Sequence, residues 1–399
     1  MHNVVGTVKS AKWDRTLKIL APLSFAVLWL ILDTPKFPSP CTGGIDPWIY
    51  LGLNLHYEFL ANIFSGQYYT TRLPVIIPGF FAYKLFDIYT AALFIRLFKL
   101  LMILIPLYWL LVRLTKDHLI STLALSILFF DPTFLVGIAT DYVNGYGMAY
   151  VALATACLTA ACLTPNWRFW LIMAGIAQAL MIYTYLFLVS FFITQVIYLL
   201  ILNQFTHRLS LTKILFYLGM GGGGCTIILG CFAFYHKGYF FFWYPQLKAA
   251  IGLSSQIKAF GGTGSPWKTP FSQWIPNAVW LILPVSAFLL SLEHLWNKRV
   301  QFSKAFSDRR NDINFICSYL LVSQFLVLFL MYSFLEIIGY NFLELDFTAC
   351  FIFPLSITVM GIILSDFKTG IAKLKDYKYI IVGIYILTAA LLLSSHPIY

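Results

Sequence analysis

Apolar residues run along this chain in long unbroken blocks, and polar residues fall in short clusters between them. A helix needs ~20 predominantly apolar residues to cross a bilayer. Eleven segments meet or approach that length: about 17–33, 88–112, 119–137, 147–163, 168–184, 186–203, 214–234, 276–292, 314–335, 348–365 and 378–395. The pattern predicts an all-α polytopic membrane protein: one transmembrane domain over residues 1–399, about eleven transmembrane helices and no separate soluble domain. Two segments between blocks are long, about 34–87 and about 235–275, and both are rich in Tyr, Trp and Phe. Those residues collect at the lipid–water boundary. The stretch DPWIYLGLNLHYEFLANIF spaces its apolar residues as one face of a helix. An amphipathic helix lying at the interface is the expectation there.

Composition strengthens this picture. The chain is 60% hydrophobic, 18% aromatic and only 11% charged, with a mean hydropathy of +0.80. A soluble domain carries roughly a quarter of its residues charged. The net charge of +11 would point to nucleic acid in a soluble protein. Here the basic residues sort by loop, so the charge reports orientation, and no nucleic-acid partner is expected. With the N-terminus cytoplasmic, eighteen of the 27 Lys and Arg fall in cytoplasmic segments. Lys36, Arg72, Lys84, Lys237, Lys248, Lys258 and Lys268 fall outside, and Arg96 and Lys99 lie within the second block. The latter pair is expected to meet a span acid such as Asp131 or to snorkel. Lys9, Lys12, Arg15 and Lys18 precede or open the first block with no small-residue cleavage site after it, which reads as a retained span rather than a signal peptide. No internal repeat of the transporter kind is visible.

Candidate chemistry concentrates on the outer side. Asp46, in CTGGIDPWIY, follows two glycines that free the backbone and precedes a proline suited to a first helical turn. It reads either as a helix N-cap or as a catalytic carboxylate, and one residue can be both. Asp141, in TDYVNGYGMAY, lies in the short outer loop between the third and fourth blocks, with Asn144, Gly145 and Gly147 marking a turn. It is either a solvated hairpin acid or a second acid converging with Asp46. Asp131, in FFDPTFL, sits in an apolar block; Pro132 after it can break the helix and bring it toward the surface. In YYTTRLPVIIPGF, Arg72 beside Tyr69 is a natural oxyanion ligand because its planar fork binds in bidentate fashion; snorkelling to headgroups is the plainer reading. The second long loop carries His236, Lys237, Lys248, Lys258 and Lys268 and no carboxylate, which suits an anionic headgroup. GMGGGG, at 219–224, is expected to allow close helix packing. Glu336, Glu344 and Asp346 read as solvated loop charges. Seven cysteines include no Cys/His metal spacing. Cys41 and Cys350 both fall on the outer side, where a disulfide between them is one reading. No nucleotide loop is present, so energy is expected from the substrate or a gradient.

An outer acid after the first span, an amphipathic first outer loop, an Arg ahead of a proline at its far end, and a second acid between the third and fourth spans form an ordered pattern over roughly 17–210. That pattern resembles the GT-C membrane glycosyltransferases, particularly the branch of protein O-mannosyltransferases and lipid A aminoarabinose transferases. The resemblance implies a GT-C-like fold in a bacterial inner membrane, with the active site on the non-cytoplasmic side. It implies a polyprenyl-phosphate sugar donor and a hydroxyl acceptor on a glycan, a lipid-linked saccharide or a protein, with membrane lipids as further partners. Asp46 would be the general base, Asp141 the second-loop acid, and Arg72 a donor-phosphate ligand with Lys258, Lys268 or His236. No cofactor is implied, and the metal requirement stays open. A lipid-linked glycan polymerase or ligase, and a lipid or sugar transporter, are the competing readings.

Overall fold

The computed structural model describes residues 24, 46–64, 67–129, 131–206, 209–255, 282–308, 313–334, 336–337, 340–341 and 350–371. The described part is an all-α membrane protein apart from a two-residue hairpin. In chain order the helices are α1 (Asp46–Ile63), α2 (Leu73–Leu85), α3 (Ile88–Thr115), α4 (His118–Leu128), α5 (Pro132–Ala139), α6 (Val143–Leu163) and α7 (Trp167–Thr184). They continue as α8 (Val189–Asn203), α9 (Leu211–Lys237), α10 (Tyr244–Ser255), α11 (Ile282–Asp308), α12 (Ile313–Phe334) and α13 (Phe353–Ile371). Short 3-10 turns at Tyr68–Thr71, Leu186–Leu188 and Cys350–Ile352 lead into helices, and β1 (Glu336–Ile337) pairs antiparallel with β2 (Tyr340–Asn341). Among the described residues five helical segments are long and apolar enough to cross a membrane: α3, α6, Leu186–Asn203, α9 and Ile313–Ser333.

The core is built around α6, which is buried along 89% of its apolar stretch and packs against α3, α5, α7, α8 and α13. Its composition permits this: VNGYGMAYVALATACLTAACL is dominated by small residues that let neighbouring backbones approach. Gly145 and Gly147 lie in its first turns rather than in the predicted turn. A Cβ at Gly145 would press on the Gly137 carbonyl and the Lys99 side chain, and one at Gly147 would overlap the Phe351 ring. The turn itself is confined to 140–142, so α6 starts four residues earlier than the apolar count suggests. The GMGGGG run behaves as expected at two of its glycines. A Cβ at Gly221 would strike the Ile172 carbonyl, and Gly222 faces Gly175, where α9 crosses α7. Gly219, Gly223 and Gly224 face open space.

Polar side chains inside the bundle bond across helices, as the absence of water in a membrane core requires. Gln178 donates to Gln195 at 3.3 Å and Gln195 donates to Thr155 at 3.1 Å, tying α7, α8 and α6. Tyr198 meets Thr159 at 2.8 Å and Cys317 at 2.7 Å, adding α12.

Two predicted spans are corrected. The 119–137 block is not one helix: α4 ends at Leu128, and α5 restarts at Pro132. Proline at the first position of α5 has no N–H to give the preceding turn. Asp131 caps the restart, accepting from the Phe134 N–H at 3.0 Å, and it is only 6% exposed rather than raised to the surface. The segment predicted as 276–292 is described from Ile282 and continues as α11 to Asp308, well into the expected cytoplasmic loop. The segments 17–33 and 378–395, and Cys41, lie outside the described residues; Cys350 is fully buried.

Candidate anion-binding site

The site begins with α1. Tyr50, Leu53, Tyr57 and Ala61 form its buried stripe, while Trp48, Phe59 and Ile63 are exposed. This is the amphipathic pattern the sequence predicted, bent by non-helical backbone at His56. Asp46 is the first residue of α1 and stands one turn before Tyr50, so the two positions share a face. After α1 the chain reverses through the 3-10 turn Tyr68–Thr71, which delivers Arg72 to the head of α2. Pro74 near the start of α2 fixes where the helix begins and hence where Arg72 sits.

Arg72 is 5% exposed and enclosed by tyrosines. Its Nη1 donates to the Tyr50 hydroxyl at 2.7 Å. Its guanidinium carbon lies 4.8 Å from the ring centroids of Tyr68 and of Tyr185, and 5.9 Å from that of Tyr50. Tyr69 stacks on Tyr68 at 4.1 Å, and Tyr142 packs edge-on against Tyr50 at 5.7 Å. Burial opposes the charge on Arg72, but a guanidinium keeps its proton throughout the physiological range, so the cation persists. Its Nε is buried without a hydrogen-bond partner. Among the described side chains no carboxylate pairs with it. A buried cation held by ring faces, one hydroxyl and no acid has donor capacity left for an oxyanion.

Asp141 and Tyr142 divide between this cage and a second cluster. Tyr142 turns to Tyr50. Asp141, partly buried, has Lys99, Arg96 and the Tyr83 hydroxyl as its electrostatic neighbours. Tyr83 approaches that carboxylate without completing a hydrogen bond. Lys99, fully buried, donates to the Thr140 carbonyl at 2.6 Å and sits 5.4 Å from the Tyr146 ring. Lys99 therefore serves the 140–142 turn, and Arg96 adds its charge beside Asp141. Burial raises the Asp141 carboxyl above the ordinary range, against the pull of Lys99 and Arg96.

Behind the 3-10 turn lies a cleft of about 450 Å3 lined by Thr70, Thr71, Lys237, Phe242, Tyr244 and Lys248 among others, with no acid among the described residues on its walls. Lys237 donates to the Thr70 carbonyl at 3.0 Å and lies 5.3 Å from the Tyr57 ring. His236 does not sit in a loop: α9 carries it to its last turn before Gly238 closes the helix with a positive φ of 66°. Its Nδ1 stands 3.2 Å from Glu58, inside a box of Tyr57, Phe80 and Phe232. Lys237, one residue on, faces the cleft instead. Lys258 and Lys268 lie outside the described residues.

The structure thus brings Arg72, Tyr68, Tyr69, Tyr142 and Tyr185 together around Tyr50, with Asp46 placed at the start of the helix that carries Tyr50, and it shows Asp131 capping α5. Tyr50, Tyr68, Tyr142 and Tyr185 were missed as ligand-side residues, whereas Tyr69 and the basic stretch holding Lys237 were read from the sequence. The one signal for Tyr50 was its spacing of four from Asp46. Among the described residues no group of three His, Cys, Asp or Glu could hold a metal ion. No family model, curated protein or solved structure matches the chain.

Proposed function

We propose that this chain is a GT-C-type membrane glycosyltransferase of about eleven spans that moves a sugar from a polyprenyl-phosphate donor to a hydroxyl acceptor on the non-cytoplasmic face of a bacterial inner membrane. The observation that supports this reading is Arg72: a buried guanidinium in a tyrosine cage, without a described acid partner, beside a lysine-lined cleft. A phosphate answers that chemistry. In the reaction Asp46 takes the proton of the acceptor hydroxyl, and the oxygen attacks the anomeric carbon. The bond from that carbon to the phosphate oxygen breaks, and polyprenyl phosphate leaves with the electron pair. A single displacement inverts the anomeric centre. Arg72 stabilises the charge that grows on the departing phosphate, and Lys237 at the cleft adds to the field. The tyrosine rings offer stacking faces to a sugar.

The test is to purify the protein in nanodiscs with native lipid extract and identify copurifying lipid by mass spectrometry. Polyprenyl phosphate or its sugar adduct is expected with the wild type and is lost in Arg72→Ala. Asp46→Asn is expected to retain the lipid and abolish transfer. If no such lipid copurifies and Asp46→Asn leaves the native glycans unchanged, the transferase reading fails. The buried Lys99 and Arg96 then favour transport, because charges inside a span mark substrate and proton paths.

A further inference from the structure

A second polar cavity lies at the opposite end of the bundle. The Arg72 cage abuts the N-terminal end of α6 through Tyr142. The C-terminal end of α6, at Leu163, accepts a hydrogen bond from Arg113 of α3 at 3.5 Å. The next residues of α3, Leu114 and Thr115, line a cavity of about 800 Å3 that α11, α12 and α13 complete. The 21 residues of α6 separate the two sites by roughly 32 Å, about the hydrocarbon thickness of a bilayer. The cavity therefore opens to the other membrane surface.

Its walls are polar and specific. His294, only 8% exposed, holds its Nδ1 3.5 Å from Asp366 Oδ2, while its Nε2 is buried with no hydrogen-bond partner. Lys298 stands 3.3 Å from the same carboxylate oxygen. Asn297, Gln301 and Ser365 add amides and a hydroxyl, and Lys304 adds a second cation. Asp366 beside Nδ1 favours the proton on that nitrogen, which leaves Nε2 as a lone-pair acceptor facing unfilled space. An acceptor of that kind calls for a ligand hydroxyl, and the Lys298 ammonium, which has three donors and meets Asp366 with one of them, calls for an anionic oxygen. Amides that donate and accept at once suit neighbouring hydroxyls. The volume fits a small ligand or a lipid headgroup.

We infer that this cavity is a binding site for a phosphate ester of a polyol, entering from the membrane face opposite the Arg72 cage. Lys298 holds the phosphate, and His294 Nε2, fixed by Asp366, accepts from a hydroxyl. The same chemistry is carried by a soluble polyol phosphate and by a glycerophospholipid headgroup. The inference is independent of sugar transfer at the other end.

The test uses the full chain in phosphatidylcholine nanodiscs, with thermal unfolding and a direct binding titration as readouts. One arm adds glycerol 3-phosphate; the other replaces part of the lipid with phosphatidylglycerol. A melting shift with saturable binding in the first arm identifies a soluble ligand. A shift in the second arm alone identifies a headgroup. Either effect is expected to weaken at least tenfold in Lys298→Met. Asn297→Trp, which fills the cavity from an exposed position, is expected to abolish it while leaving the unliganded melting temperature within a few degrees of wild type. Glycerol without phosphate is expected to give nothing. No shift in either arm, or shifts that both variants preserve, overturns the inference.

Discussion

Arg72 and Lys99 are both buried cations within the same half of the molecule, and they are held in opposite ways. Lys99 donates to a backbone carbonyl at 2.6 Å and has the Asp141 carboxylate among its neighbours. Arg72 has ring faces, one tyrosine hydroxyl and an Nε that bonds to nothing. The first arrangement is closed: its charge is answered by the 140–142 turn it holds in place. The second is open: it keeps a cation charged and leaves its answer to another molecule. A buried charge is costly unless paired, so an unanswered one marks a ligand site better than a perturbed acid does.

The comparison predicts opposite signs for two similar substitutions. Lys99→Met removes the Thr140 hydrogen bond and strands Asp141, and it is expected to cost about 3–5 kcal/mol of stability. Adding Asp141→Asn removes the stranded acid and is expected to restore most of that loss. Chemical denaturation of the three proteins in one detergent measures both steps. If the double variant is as unstable as the single one, the two residues are not coupled, and Lys99 is no more closed than Arg72.

Asp141 titrates, and Arg72 does not. The Asp141 carboxyl is raised in the folded protein, so its folded state binds protons more readily than its unfolded state. Its contribution to stability is complete below the unfolded value of about 3.9 and is lost as pH rises through the folded value. Wild-type stability should therefore fall with rising pH over that window. Lys99→Met should steepen the fall, because the attraction of Lys99 for the carboxylate is gone, and the double variant should flatten it. Unfolding curves collected from pH 4 to pH 8 decide this. Arg72→Met should shift the whole curve without changing its slope.

That last variant carries the functional half of the contrast. Arg72→Met removes an unanswered buried charge and is expected to leave the unliganded protein as stable as wild type or more so. Retention of polyprenyl phosphate should fall about 10–100-fold, the worth of a charge-assisted pair at 1.5–3 kcal/mol. A fall in unliganded stability comparable to that of Lys99→Met would make Arg72 structural and end the comparison.

How much of this was legible in the sequence follows the same division. The apolar blocks, the amphipathic stripe of α1 and the two glycines that seat α9 on α7 follow from hydrophobic periodicity and residue size, so they could be read directly. Asp46, Arg72 and Asp141 could be read as belonging to one end because each lies beside a break in the apolar pattern. What their side chains touch could not. Asp131 looked like a span charge, but the following proline makes it a cap. Gly145 and Gly147 looked like a turn, but they are clearance for Lys99 and Phe351. His236 and Lys237 are adjacent, and only the phase of α9 decides which of them faces Glu58 and which faces the cleft. The cage was mostly hidden by abundance: among 24 tyrosines, Tyr69 stands out by its place beside Arg72, but little in the sequence marks the others that converge from α1, the 3-10 turn, the 140–142 turn and the end of α7.

The finest test is Tyr50→Phe. It keeps the ring, and with it the packing against Tyr69 and Tyr142, and deletes only the hydroxyl that meets Nη1 at 2.7 Å. In the free protein Arg72 then loses its one side-chain hydrogen bond among the described residues, which should cost about 1 kcal/mol of stability. In the liganded protein the outcome depends on what that hydroxyl does. If it only steers the guanidinium, retention of polyprenyl phosphate should fall about 3–10-fold, and the fall should vanish in the Arg72→Met background, because steering needs something to steer. If the hydroxyl also touches the ligand, the fall should persist in that background. A double-mutant cycle on lipid retention separates the two, and a full coupling between Tyr50 and Arg72 is the expected result.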